Sequence, residues 1–233
     1  MWPSTKTFDW YSEQRRSLAA GARRVITLVA SNRKVAATVA IGVVAILALI
    51  GGYFIWSSRQ EANAAALLFK AAIELTSKTG TAEDIPKQEE GLRLLREVIT
   101  RYPGTAAGSE AALRLGTHYY TLGKYDEARN VYEGYLAKNP RGRVAFAAGL
   151  GVGDTYLAQG KYNRAVETYS KLIEQFPQEP LLPQAYIHLA RAYHDMKREK
   201  DAARLYQKVV EAYQNTGWAL YAQAQLRKLI PLK

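Results

Sequence analysis

The chain has no cysteine, so disulfides and thiolate metal sites are excluded. Histidine is scarce: there are three, and two of them, His188 and His194, stand six apart on one expected helix with no third ligand nearby. That is a poor basis for a metal site, which needs three or four converging ligands. No Ser-His-Asp spacing, paired-carboxylate motif or phosphate-binding loop occurs. Nothing argues for an enzyme, and no cofactor, metal or small-molecule substrate is expected. The chain is basic, with a net charge of +11, but beyond the first 34 residues its cations are interleaved with acids. Nucleic acid is therefore a poor candidate partner.

Charge is missing altogether from Val35 to Trp56, which reads VAATVAIGVVAILALIGGYFIW. At about 1.5 Å per residue in a helix, this stretch covers a hydrocarbon core of roughly 30 Å and reads as a transmembrane helix. Tyr53, Phe54 and Trp56 crowd its end, where amphipathic rings suit a membrane interface. Residues 1–34 carry seven basic residues against Asp9 and Glu13, a net +5, whereas Arg59 and Lys70 are the only cations in the first fifteen residues beyond Trp56. The positive-inside rule then puts residues 1–34 in the cytoplasm and the rest in the periplasm or an equivalent compartment. The reverse orientation would require translocating the basic flank. Residues 15–30 mix arginines with Leu18, Val25, Ile26, Leu28 and Val29 and are either a short helix on the anionic leaflet or an unstructured basic flank. Ala62-Asn63-Ala64 has the small-x-small form of a signal-peptidase site. The apolar stretch exceeds the 7 to 15 residues of a signal peptide, so the anchor is expected to stay uncleaved.

What the remaining residues have in abundance is repetition. Pro103, Pro140 and Pro177 are 37 residues apart, and the same offset relates Leu115/Val152/Leu189, Gly116/Gly153/Ala190, Tyr119/Tyr156/Tyr193, Ala128/Ala165/Ala202 and Tyr132/Tyr169/Tyr206. Each unit predicts a helical hairpin. Small residues let its two helices approach, tyrosines fill the space between layers, and proline stops the second helix. The turns read Gly123-Lys124-Tyr125-Asp126 and Gly160-Lys161-Tyr162-Asn163, in which glycine ends one helix and Asp or Asn can start the next. The third turn, Lys197-Arg198-Glu199-Lys200, has lost the glycine. Gly149-x-Gly151-x-Gly153 falls inside a first helix, not after a strand, so close helix packing explains it better than dinucleotide binding. Three helical glycines, at about 1 kcal/mol each relative to alanine, leave that helix open to bending.

Order and spacing resemble the tetratricopeptide repeat. The resemblance implies an all-α fold, a solenoid of stacked helical hairpins following the transmembrane helix. Full units are expected over Ser109 to Pro140, Phe146 to Pro177 and Pro183 to Gln214, closed by a helix from Gly217 to Leu229. A degenerate unit precedes them. Its first helix runs from Ser57 to Ser77, a polar loop passes through Gly80 and Pro86, and its second helix carries Leu92, Leu95 and Val98 with Gly91 at the alanine place. The three residues beyond the usual 34 are expected in the loop after each proline or at a helix end. The domains expected are thus a basic segment at 1–34, the span at 35–56 and the repeats at 57–233.

In this family the first helix of each unit lines a concave groove. That register implies contacts to a protein partner from Glu110, Arg114, Thr117 and Tyr120, from Leu150 and Asp154, and from Gln184, Ile187, His188, Arg191, His194 and Asp195. Such a mixed lining suits an extended peptide or a partner helix. The order of parts, with GGYFIWSSRQEANAAALLFKAAIEL from Gly51 to Leu75, also resembles the YfgM-like ancillary subunits of the bacterial Sec translocon. That resemblance implies a link between the translocon and periplasmic chaperones. A structural accessory subunit of an envelope assembly, secretion or polysaccharide-export complex is the alternative.

Overall fold

The computed structural model describes residues 14–16, 18–19, 33–76 and 84–229. The rest of the 15–30 segment, together with Ser77 and Gly80, lies outside the described residues. From Arg33 onward the described residues form helices α1 (Arg33–Thr76), α2 (Asp84–Arg101), α3 (Ala106–Thr121), α4 (Tyr125–Lys138), α5 (Ala145–Ala158), α6 (Tyr162–Gln175), α7 (Leu182–Asp195), α8 (Glu199–Ala212) and α9 (Gly217–Leu229). The chain divides into two compact units, Met1–Arg59 and Gln60–Lys233.

In the first unit, α1 is long and apolar enough to cross a membrane. Among the described residues its large side chains stay exposed: Ile41, Leu49 and Phe54 are 70%, 74% and 66% exposed. Leaving so much apolar surface in water is costly at about 25 cal/mol per Å². The hydroxyl of Thr38 donates to the carbonyl of Lys34 at 2.9 Å, so this polar group inside the apolar stretch is satisfied by its own helix.

The second unit stacks helical hairpins: the end of α1 with α2, then α3/α4, α5/α6 and α7/α8, closed by α9. Ala128, Ala165 and Ala202 are fully buried, and Leu115, Val152 and Leu189 lie beside them in the core. The glycines of α5 mark where helices touch. A Cβ at Gly149 would lie 2.5 Å from Leu172 Cδ1, one at Gly151 would lie 2.5 Å from Tyr132 Cε2, and one at Gly153 would enter the Tyr169 ring. Gly116 stands in the same relation to Tyr132. The helices end before Pro103, Pro140 and Pro177, as the spacing predicts.

Gly123 and Gly160 take left-handed φ values of 72° and 70°. The third turn keeps that backbone without glycine, with Lys197 at φ 62°, a conformation costing a side-chain-bearing residue about 1–2 kcal/mol. Three expectations are corrected. Asp126 and Asn163 do not cap their helices: Lys124 and Lys161 occupy the cap, with no side-chain bond, and Asp126 lies in the first turn of α4. Its carboxylate is drawn sideways to Arg129 and to Gln159 of the next unit. Pro86 sits in the first turn of α2, not in a loop, because amides there have no intrahelical acceptor to lose. The third concerns α3, which begins at Ala106, ahead of Ser109, capped by Thr105 Oγ1 accepting from the amide of Gly108 at 2.9 Å. Glu61 adds to this cap by accepting from the amides of Ala106 and Ala107 at 2.9 and 3.2 Å. Of the two places expected for the extra residues, both are used: residues 139–144 and 176–181 hold them ahead of α5 and α7, which are 14 residues long, whereas α3, at 16 residues, is lengthened at its start.

Candidate partner-binding face

The second-helix tyrosines reach through the layer toward the first helices. Tyr132 pairs its hydroxyl with Thr117 Oγ1 at 3.2 Å, and Tyr169 donates to Asp154 Oδ1 at 2.6 Å. Thr117 and Asp154 are 37 residues apart, and the next residue in that column is Arg191, whose charge acts on Tyr206. One position of the first helix therefore bonds the tyrosine hydroxyl in two units and acts on it through charge in the third, and its chemistry changes from neutral to anionic to cationic along the stack.

Asp154 is the centre of this face. Besides Tyr169, His188 Nδ1 lies 2.6 Å from the same Oδ1, and the imidazole stands edge-on to the Tyr169 ring, 5.7 Å away at 88°. A carboxylate only accepts, so the hydroxyl and Nδ1 both donate to it. Burial, reinforced by the Asp154 charge, raises the Tyr169 hydroxyl far above the ordinary phenol range. Burial also raises Tyr120, with Asp154 and Tyr125 adding to the effect and Arg191 opposing it. Tyr132 is raised by burial and held back by its bond to Thr117. Tyr206 is pushed up to about 12, chiefly by burial.

The structure sorts the expected contact residues into three groups. Thr117, Tyr120, Asp154, His188 and Arg191 gather around the tyrosine hydroxyls, and among the described residues no carboxylate lies within 4 Å of the exposed Arg191. Glu110 and Arg114 form an exposed ion pair at 2.7 Å beside a cavity shared with Leu75 and Leu113, while His194 pairs with Glu199 at 2.8 Å near the turn and Asp195 is half-buried. Gln184 is also half-buried. Leu150 and Ile187, at 5% and 7% exposure, are core residues that offer a partner almost no surface. Both lie in one column with Leu113, the apolar side of the first helix. Among the described residues no three His, Asp or Glu side chains come together as metal ligands.

Sequence reasoning missed Tyr132 and Tyr169 as parts of this face, and Tyr125, whose ring meets Tyr120 at 5.4 Å. The signal was present: the Tyr132/Tyr169/Tyr206 column shares its period with Thr117/Asp154/Arg191.

Models of the tetratricopeptide repeat match residues 89–143, 113–180 and 156–226, together more than half of the sequence. The chain belongs to the tetratricopeptide repeat family. Repeats of this kind are protein–protein interaction scaffolds, and nothing in the fold points to catalysis. Among solved structures, a tetratricopeptide repeat protein from Parabacteroides merdae is 17% identical with a TM-score of 0.53, over 71% of this chain and 59% of that one. PcrH from Pseudomonas aeruginosa is 20% identical with a TM-score of 0.46, over 53% of this chain and 92% of that one. MamA from Desulfovibrio magneticus is 20% identical with a TM-score of 0.48, over 69% and 83%. These likenesses concern the fold alone. No curated protein matches the sequence significantly.

Proposed function

We propose that this tetratricopeptide repeat protein is a single-pass, membrane-anchored scaffold whose repeats lie in the periplasm, across the membrane from residues 1–34, and bind a protein partner along the first helices. The observation that carries the reading is the column Thr117/Asp154/Arg191, which sets polar side chains of changing sign on one face. Arg191 is exposed, with no carboxylate partner among the described residues. A partner supplying an acceptor there and a donor toward Asp154 would be held in one register. The exposed apolar part of α1 and the charge imbalance on its two sides support the anchored orientation. The resemblance to YfgM-like subunits makes the Sec translocon and its chaperones the first partners to test.

The absence of native cysteine allows a clean test of orientation. Single cysteines at Ser12 and at Lys200 are labelled with a membrane-impermeant maleimide in spheroplasts of a bacterial host, before and after lysis. Labelling of Lys200→Cys before lysis, and of Ser12→Cys only after it, is expected. The opposite pattern rules out a periplasmic scaffold.

A further inference from the structure

Two cavities lie between the second helices of successive units, away from the face described above, and they are built from the same positions 37 residues apart. The first, of about 330 Å³, is lined by Ile99, Gly134 and Asn139 among others. The second, of about 250 Å³, has Leu136, Lys171 and Phe176 at those places. Phe176 lines its cavity with its ring edge-on to that of Phe146 at 5.9 Å, and the exposed Lys171 is held at 2.8 Å from Glu167. The first cavity has neither of these side chains. Asn139 replaces the phenylalanine, and a Cβ built at Gly134 would meet nothing within 4 Å.

The rims differ in charge as well. Arg96 and Lys138 line the first cavity, and no carboxylate does. The equivalent places in the second are Glu133 and Gln175. Arg96 is held in position, because it donates to the Tyr119 hydroxyl and lies 6.0 Å from that ring. Lys138 is exposed at the end of α4. One repeat boundary thus has an apolar cavity with a cationic rim, whereas the smaller cavity at the next boundary has Glu133 and Gln175 at those rim positions.

We propose that the cavity between α2 and α4 is a second docking site, separate from the first-helix face, that takes an apolar side chain of a protein partner flanked by carboxylates. Charge complementarity selects the flanks: carboxylates on either side of the anchor meet Arg96 and Lys138 with no competing acid in the lining. The apolar walls supply the affinity for the anchor, and the fixed guanidinium supplies register.

The test uses the full chain in nanodiscs of zwitterionic lipid and two fluorescein-labelled peptides, Asp-Asp-Gly-Phe-Leu-Gly-Asp-Asp and its counterpart with lysine for aspartate. Fluorescence polarisation is expected to show binding of the acidic peptide alone. Asn139→Phe with Gly134→Leu, which plugs the cavity with two large apolar side chains, is expected to weaken it at least tenfold, and Lys138→Glu at least threefold. Lys138→Glu changes only an exposed side chain and decides the matter if the plugged variant fails to fold. Asp154→Asn with Arg191→Ala is expected to leave binding unchanged, which separates this site from the first-helix face. Absence of binding by the acidic peptide, equal binding of both peptides, or binding unaffected by the cavity substitutions overturns the proposal.

Discussion

Tyr169 donates its hydroxyl to Asp154 at 2.6 Å, whereas one unit earlier the equivalent tyrosine, Tyr132, meets the neutral Thr117 at 3.2 Å. The same inter-helix contact is therefore charge-assisted in one unit and neutral in the other. Removing the acceptor leaves a buried hydroxyl without a partner, while removing the hydroxyl leaves Asp154 still bonded to His188. Asp154→Ala is expected to destabilise the repeats by about 2–3 kcal/mol and Tyr169→Phe by about 1–2 kcal/mol, with strong non-additivity in the double variant. Urea unfolding followed by circular dichroism checks both. Equal and additive losses would count against the pairing.

Glycine substitutions should have opposite signs at two helical sites. At Gly153 a methyl group enters the Tyr169 ring, so Gly153→Ala is expected to cost about 1–3 kcal/mol despite its better helix propensity. At Gly134 it meets nothing, so Gly134→Ala is expected to stabilise by about 0.5–1 kcal/mol. Unfolding midpoints measured side by side test the contrast.

Lys197 holds a left-handed backbone that the two earlier turns assign to glycine. Lys197→Gly is expected to raise stability by up to about 1 kcal/mol, since relieved strain exceeds the added freedom of the unfolded chain. A loss in thermal midpoint would show that the lysine side chain matters more than the backbone.

Alkaline stability follows from the buried tyrosines. Tyr206 in the folded chain is pushed up to about 12 and Tyr169 is raised further, against about 10 in an unfolded chain. The folded state therefore keeps protons that the unfolded state releases. Their contribution is fully present below pH ~10 and is lost as the pH rises through the folded values, at about 1.4 kcal/mol per group per pH unit. Tyrosinate absorbance near 295 nm should lag behind a free-tyrosine titration and then rise together with loss of helix. Tyr206→Phe and Tyr169→Phe should each move that transition to higher pH relative to their own neutral stability.

The hairpins, their order and their core columns were legible because each repeats at one offset: Ala128, Ala165 and Ala202 are small for the same reason three times. What was not legible depends on contacts between distant residues. The start of α3 at Ala106 is fixed partly by Glu61, which is 45 residues away in sequence. Asp126 looks like a cap until Gln159 of the next unit draws it aside. Leu150 and Ile187 were assigned to the groove by the family register, yet they share a column with Leu113, whose apolar character marks the buried side. Asp154 enters the expected face by position alone, while its bonds to both Tyr169 and His188 require two packed units to exist.

The central claim, that a protein partner docks on the first-helix face, is most directly tested by placing a photo-reactive benzoylphenylalanine at Thr117, at Arg191 and, as an outer-face control, at Glu167 in the membrane-embedded chain. Irradiation is expected to give the same discrete protein adduct from Thr117 and Arg191 and none of it from Glu167. An identical adduct pattern from all three positions, or adducts from Glu167 alone, would contradict the account.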